Sequence, residues 1–225
     1  MILAAVQPGY LPWVGFFNLM KQSDLFVIED NLQYTKQDWR NRNRIRTAQG
    51  WTYLTVPVKR GPTERRINEV EIDNSRPWPR RHLNLLRQNY AKAPFWKHYA
   101  PFLEETFARR WTLLIDLDMW FIEFFRREFD IRTPCKFLSE IPVTFGRDKT
   151  LSLIELTRAV GADTFLEGST GRAYLDPRKF EEAGLRLVFH DYECRPYRQQ
   201  FEPFISHLSS IDLLLNEGPQ GAELI

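Results

Sequence analysis

Short apolar segments that alternate with helical patterns constrain the fold of this chain more than any other feature. Ile2–Val6 and Leu25–Ile28 are apolar runs bounded by polar or turn residues, and a helical pattern begins between them near Trp13. Pro8 cannot donate a hydrogen bond within a central strand, so the first strand ends before it. The alternation resumes after Pro134. It predicts an α/β fold with a mainly parallel sheet and helices on both faces.

Other segments carry similar signals. The strand pattern recurs at residues 51–58, 67–72, 141–145, 164–166 and 185–189. Residues 149–160 are predicted to form a helix that begins at Thr150 or Ser152, since Ser152 and Glu155 have the spacing of a capping box. A chain of 225 residues can bury a substantial core. We therefore expect a single domain over residues 1–225, with a mainly helical insertion at about 77–130.

A run of basic and amide side chains follows the strand at Leu25–Ile28. Arg40, Arg42 and Arg44 alternate with Asn41 and Asn43. Residues two apart share a face of an extended segment, so the arginines and the asparagines are expected on opposite faces. Guanidinium groups bind phosphate or carboxylate through paired hydrogen bonds, and asparagine amides orient ligands. A solvated basic edge strand is the alternative, but asparagine is a poor strand residue, which favours an anion-binding site.

His190 and Asp30 are the candidate catalytic residues. His190 leaves a predicted strand beside Asp191, and a histidine held by a carboxylate suits general-base catalysis near neutral pH. A structural histidine is the alternative for His190, and turn capping is the alternative for Asp30. The zinc-protease, serine-hydrolase, P-loop and dinucleotide-binding motifs do not occur. No metal site is therefore assigned, and the cofactor stays unknown.

The composition narrows the class of protein. The 31 Lys and Arg residues against 29 Asp and Glu residues give a net charge of +2, which provides no global field for nucleic acid. No segment approaches the roughly 20 apolar residues of a membrane span, and the N-terminus lacks the pattern of a signal peptide, so we expect a cytoplasmic protein. Residues 111–129 are apolar on most faces. That helix is either buried or paired with a second subunit, which leaves a homodimer open.

Several motifs are spread from the first strand to the last helix. They are Gln7-Pro8-x-Tyr10-Leu11-Pro12-Trp13, Asn31-x-Gln33-Tyr34-x-Lys36-x-x-Trp39-x-Asn41-Arg42-Asn43-Arg44, Gly168-Ser169-x-Gly171 and Ser210-x-Asp212-Leu213-Leu214-x-Asn216. Together they resemble the WbqC-like protein family. The Asp-Asp pair expected before the Gln-Tyr element is Glu29-Asp30 here. The resemblance implies a bacterial protein of surface polysaccharide (O-antigen) biosynthesis, with a transferase activity that moves glycine or another acyl group to an amino sugar.

This resemblance and the residue chemistry combine into one hypothesis. Arg42, Arg44 and Lys36 would hold the phosphates of a nucleotide-linked sugar or activated acyl donor, and His190 or Asp30 would take the proton from the acceptor amine. The candidate substrate-binding residues are Gln7, Tyr10, Trp13, Gln33, Tyr34, Lys36, Trp39, Asn41, Arg42, Asn43, Arg44, Gly168, Ser169 and Gly171. Two alternatives stay open: an ATP-dependent nucleotidyltransferase-like enzyme, by fold-level analogy, and a non-catalytic sugar-nucleotide-binding protein.

Overall fold

The computed structural model describes residues 1–36 and 38–225, which form two units. The first unit contains Met1–Gln7, Phe16–Leu32 and Ile131–Glu193, and the second contains Pro8–Gly15, Gln33–Asp130 and Cys194–Ile225. The strands are β1 (Ile2–Val6), β2 (Leu25–Ile28), β3 (Arg42–Thr47), β4 (Gly50–Thr55), β5 (Cys135–Phe137), β6 (Thr164–Gly168) and β7 (Arg186–His190). The helices are α1 (Val14–Lys21), α2 (Trp78–Tyr90), α3 (Trp96–Ala108), α4 (Leu114–Glu128), α5 (Lys149–Ala159), α6 (Pro177–Glu182) and α7 (Ser210–Glu217).

The first unit is built on a parallel sheet with the strand order β5-β2-β1-β6-β7. All four residues of β2 are buried, as expected for a central strand that is covered on both faces. Val6 pairs with Ile28, and Ile28 pairs with Phe137, so these three strands end at one level. The predicted α/β fold with a mainly parallel sheet is confirmed.

Two predictions for the first unit were wrong in detail. Residues 141–145 do not form a strand, because the fifth strand of the sheet lies earlier, at Cys135–Phe137, and is followed by a 3₁₀ turn at Leu138–Glu140. Pro142 lacks the N–H that a ladder would need. Helix α5 is capped by Asp148, whose carboxylate accepts from the Leu151 N–H at 3.1 Å, rather than by Thr150 or Ser152.

The second unit contains the β3–β4 hairpin together with α2, α3, α4 and α7. Helices fill most of residues 77–130, as their periodicity predicted. Residues 67–72 do not form the predicted strand, since Ile67–Glu69 is a 3₁₀ turn and only isolated bridges follow it. Ile67 and Val70 are both 0% exposed. These residues are three apart, and a 3₁₀ turn places such residues on one side.

Aromatic side chains of α4 form much of the core of the second unit. Phe121 and Phe125 are both 0% exposed, and the Phe121 ring meets the Tyr10 ring edge-on at 5.6 Å. Leu117 and Ile122 are also fully buried. The apolar faces of this helix are therefore covered within its own unit, which is the first of the two alternatives that its sequence left open.

Candidate functional site

The carboxyl ends of the parallel strands bring several predicted site residues to one edge of the first unit. The chain runs from β1 to β2 and β5 on one side, and it places β6 and β7 on the other side. The boundary between β1 and β6 is therefore the topological switch point, where open α/β sheets bind their ligands. Gly168 at the end of β6 pairs with His190 at the end of β7, and Gln7 directly follows β1.

The predicted site residues divide between the two units. Gln7, Asp30, Gly168, Ser169, Gly171 and His190 belong to the first unit. Tyr10, Trp13, Gln33, Tyr34, Lys36, Trp39, Asn41, Arg42, Asn43 and Arg44 belong to the second. Each group is therefore a candidate site in its own unit.

His190 is partly buried, and its Nε2 contacts the side-chain oxygen of Asn18. Nε2 also lies 3.3 Å from the side-chain amide nitrogen of Gln22, so it faces one amide acceptor and one amide donor. Burial lowers the pKa of His190, and the charge of Asp191 opposes this only in part. Asp191 does not act as the orienting carboxylate that the sequence suggested, because both of its oxygens accept from Arg172, at 2.6 and 2.7 Å.

The hydrogen bonds of Asp30 indicate a role in stabilising the fold. Its side chain is 4% exposed, and its two oxygens accept from the backbone N–H of Ser139 at 2.9 Å and from the Ser139 hydroxyl at 2.7 Å. These bonds fasten the end of β2 to the 3₁₀ turn at Leu138–Glu140. The geometry therefore favours turn capping for Asp30, the alternative that accompanied its assignment as a base.

Glu167 is a titratable residue of this edge that the sequence did not single out. It lies in β6 beside Gly168, whose backbone N–H donates to its carboxylate at 3.0 Å. Burial raises the pKa of Glu167 to about 7. In the sequence, Glu167 is marked only by its position immediately before the Gly168-Ser169 turn. A single acidic residue before a turn does not specifically indicate a functional site.

In the second unit the asparagines and arginines of the basic run do lie on opposite faces of β3. Asn43 is 3% exposed, and its amide donates to the carbonyls of Tyr10 at 3.3 Å and Leu11 at 2.8 Å. Leu11 has φ +49°, a strained conformation that these bonds help to hold. Asn41 is 6% exposed and donates to the Val56 carbonyl at 2.8 Å. The amide nitrogens of both asparagines thus donate to backbone carbonyls, where the sequence had suggested ligand contacts, and Oδ1 of Asn41 is buried without a hydrogen-bond partner.

The opposite side of the hairpin is a cationic, aromatic surface, here called the Arg/Trp face, which consists of Trp39, Arg42, Arg44, Trp51 and Tyr53. Trp39 and Trp51 are each 45% exposed, and Tyr53 is 39% exposed. The guanidinium carbon of Arg44 lies 5.4 Å from the Trp39 ring centre and 5.2 Å from that of Trp51. The guanidinium carbon of Arg42 lies 5.4 Å from the Tyr53 ring centre. These cation–π contacts hold both guanidinium groups against exposed rings.

The arginines of this face have unused hydrogen-bonding capacity. Within residues 1–36 and 38–225, no carboxylate forms an ion pair with Arg42 or Arg44. The Nε atoms of both are buried without a hydrogen-bond partner. Arg44 donates one bond, from Nη2 to the His207 carbonyl at 3.1 Å. Trp51 and Tyr53 were missed from the sequence because alternating aromatics in a strand are more often part of a core.

The other predicted site residues of the second unit differ in how far they are exposed to solvent. Tyr10 is 0% exposed, and its hydroxyl hydrogen-bonds Nδ1 of His82 at 2.9 Å. Tyr34 is 5% exposed beneath a guanidinium group, that of Arg65, whose carbon lies 4.9 Å from its ring centre. Trp13 stacks on His207 at 4.9 Å, Gln33 donates to the Thr63 carbonyl at 3.0 Å, and Lys36 is exposed. Tyr10 and Tyr34 therefore act through packing, whereas Lys36 is accessible.

Neither a metal-binding cluster nor a membrane-spanning helix is found in the described part of the chain. No three His, Cys, Asp or Glu side chains are grouped there so as to hold a metal ion. None of its helices combines the length and the apolar character needed to cross a bilayer.

These features define an α/β protein that has polar residues at the carboxyl ends of its parallel strands and a cationic, aromatic face on a β-hairpin. The chain belongs to the WbqC-like protein family, whose model matches residues 7–224. It is 33% identical over 226 residues to the uncharacterized protein Rv1507c of Mycobacterium tuberculosis, and this alignment covers 99% of the chain and 96% of the relative. No solved structure gives a significant match. The family resemblance inferred from the motifs is confirmed.

Proposed function

We propose that this protein is a transferase of bacterial surface polysaccharide (O-antigen) biosynthesis. In this proposal it transfers glycine or another acyl group to an amino sugar, and the Arg/Trp face binds the phosphates of a nucleotide-linked substrate. Membership of the WbqC-like family is consistent with such a role. The chemistry of the Arg/Trp face supplies the physical support.

The observation that carries the proposal is the pair of guanidinium groups without carboxylate partners. A partly buried guanidinium group without a carboxylate partner is costly, and an anion that accepts its hydrogen bonds would lower that cost. Phosphate oxygens accept the paired hydrogen bonds that a guanidinium offers. The exposed rings of Trp39, Trp51 and Tyr53 provide flat surfaces on which a base or a sugar ring can stack. A nucleotide-linked sugar contains phosphate groups next to a base and sugar rings, so its groups match the arginines and the aromatic rings of this face.

Acyl transfer to an amine also requires a proton acceptor. Of the two residues named from the sequence, Asp30 already accepts two hydrogen bonds from Ser139, whereas His190 contacts the neutral side-chain amides of Asn18 and Gln22. The lowered pKa of His190 leaves the imidazole neutral at pH 7, which is the form that accepts a proton. His190 is therefore the better supported of those two candidates.

Calorimetric titration of UDP-, GDP- and dTDP-linked amino sugars tests the binding step. Arg42→Gln should weaken binding of the preferred ligand by about 10- to 100-fold, because a hydrogen bond to a charged group contributes roughly 1.5–3 kcal/mol. The matched control is Arg60→Gln, which removes the same charge from an exposed residue of the same unit and should leave affinity unchanged. The parent nucleoside, which lacks phosphates, should bind equally to wild type and Arg42→Gln.

Three results would count against this function. Equal affinity in a folded Arg42→Gln protein would remove the phosphate role of the Arg/Trp face. Binding of ATP alone would favour the nucleotidyltransferase-like alternative. Tight binding of a sugar nucleotide without acyl transfer from any activated donor would favour a non-catalytic binding protein.

A further inference from the structure

Arg65 is a buried arginine of the second unit that no acidic side chain neutralises. It lies between β4 and α2 and is 8% exposed. Within residues 1–36 and 38–225, no carboxylate forms an ion pair with its guanidinium group. A buried cation without a counter-ion is costly. The described residues therefore leave this positive charge uncompensated.

The guanidinium group of Arg65 keeps one edge free. Nη1 donates to the Lys59 carbonyl at 2.7 Å, which is the one hydrogen bond of this side chain in the described part of the chain. Nε is buried without a partner, and Nη2 donates to none of the described residues. Nε and Nη2 share an edge of the planar group, and such an edge binds two oxygens of one anion side by side.

Two neighbours hold this guanidinium group in place. The Tyr34 N–H donates to the Arg65 carbonyl at 2.9 Å, and the guanidinium carbon lies 4.9 Å from the Tyr34 ring centre. A Cβ added at Gly61 would lie 2.9 Å from Nη1 of Arg65, so glycine at this position lets the chain pack against the side chain. The cation–π contact and this packing fix the orientation of the group without using its free edge.

The charges around Tyr34 are mainly positive. Burial raises the pKa of Tyr34, and three guanidinium charges oppose this effect, those of Arg65, Arg42 and Arg40. The acidic group that acts against them is Asp118. Burial raises the pKa of Asp118 well above its ordinary value, which favours its neutral form. A doubly charged phosphate group therefore suits this environment better than a singly charged carboxylate.

We propose that Arg65 is the centre of a second phosphate-binding site, separate from the Arg/Trp face, with Tyr34 as its positioning residue. The Nε–Nη2 edge of Arg65 donates two parallel hydrogen bonds to one phosphate group, whose charge neutralises the buried guanidinium. Tyr34 acts through the arginine that it holds and does not itself contact the ligand. The transferase proposal needs only the Arg/Trp face, so either proposal can fail without the other.

Equilibrium dialysis with labelled inorganic phosphate tests this site, at an ionic strength held constant with sodium chloride. The background is a protein that carries Arg42→Gln and Arg44→Gln, in which the Arg/Trp face is disabled. It should bind one phosphate per chain. Adding Arg65→Gln should weaken this binding by about 10- to 100-fold, because two hydrogen bonds to a charged group are lost. The matched control is Arg66→Gln, at the exposed neighbouring position, which should leave affinity within about twofold.

Further variants in the same background separate binding from folding. Arg65→Lys keeps the buried charge but lacks the paired N–H edge, so it should weaken phosphate binding by about 10-fold. It decides the test if circular dichroism shows that Arg65→Gln is unfolded. Tyr34→Phe keeps the ring that holds Arg65 and should bind phosphate normally, whereas Tyr34→Leu removes the ring and should bind it more weakly.

Competition against labelled phosphate identifies the group that the site takes. Displacement by methyl phosphate would assign the site to a phosphate ester, and its failure to displace would assign the site to free phosphate. Acetate that competes as well as phosphate would overturn the assignment of a phosphate group. A background protein that binds no phosphate, or a folded Arg65→Lys protein with unchanged affinity, would overturn the site itself. Neither result would alter the calorimetric test of the Arg/Trp face.

Discussion

Within the second unit, hydrogen bonds of single side chains connect the turn that precedes α1 to the β3–β4 hairpin. Asn43→Ala should lower the free energy of unfolding by about 1–3 kcal/mol, because it orphans the buried carbonyls of Tyr10 and Leu11. Urea denaturation measures this as a lower midpoint with an unchanged m-value. Asn84→Ala, at an exposed position of α2, should change stability by only a few tenths of a kcal/mol. Equal effects of the two substitutions would contradict a structural role for Asn43.

At the same scale, the sequence predicted the two faces of the basic run but not which arginines stay accessible. Arg46 has the same strand parity as Arg42 and Arg44, yet it is 1% exposed. Its guanidinium donates to the carbonyls of Thr47 and Gly50 at 2.6 Å, and to two carbonyls of residues 201–203 at 2.9 Å. The alternation of residues along a strand determines on which face each side chain lies. Whether the Arg46 side chain is covered depends on a segment about 155 residues away. Periodicity carries no information about such distant partners.

At the scale of elements, the cap of α5 gives a direct contrast between the sequence pattern and the structure. Asp148→Ala should cost about 1 kcal/mol, since Asp148 satisfies the Leu151 N–H. Its ion pair with Lys179 at 2.5 Å is largely solvated and adds little. Glu155→Ala should cost almost nothing, because the Ser152–Glu155 capping box is not formed and Ser152 donates instead to the Asp148 carbonyl at 3.0 Å. A larger loss in Glu155→Ala than in Asp148→Ala, measured by thermal unfolding, would contradict this cap.

Elements with a strong apolar pattern were predictable, and those fixed by distant partners were not. The strands β1, β2, β6 and β7 were found within one or two residues, because a buried parallel strand needs a continuous apolar run. The three-residue strand β5 has only one alternation, and its place depends on pairing with β2. The same limit applies to the candidate site. The turn at Gly168 was recognised, but Glu167 becomes chemically distinctive only when the turn closes over it.

At the scale of the whole molecule, two buried titratable groups act on stability in opposite directions. His82 is 2% exposed, and burial lowers its pKa to about 4. Its unfolded form therefore binds more protons between about pH 4 and pH 6.5, so its contribution to stability is lost as pH falls through that window. Glu167 has a pKa raised to about 7. Its folded form binds more protons between about pH 4.5 and pH 7, so its contribution is lost as pH rises.

The two contributions overlap between about pH 5 and pH 6.5, and the pH profiles of the two variants should therefore depart from that of the wild type in opposite directions. Glu167→Gln should be more stable than wild type at pH 8 by about 3 kcal/mol, and this gap should fall to about 1 kcal/mol at pH 5. His82→Gln should be less stable than wild type at pH 7, and that gap should narrow by about 2 kcal/mol at pH 5, because the variant no longer loses stability by protonation of the unfolded chain. Urea midpoints at pH 5, 6, 7 and 8 measure both slopes. Profiles parallel to wild type would show that neither group changes its protonation on folding.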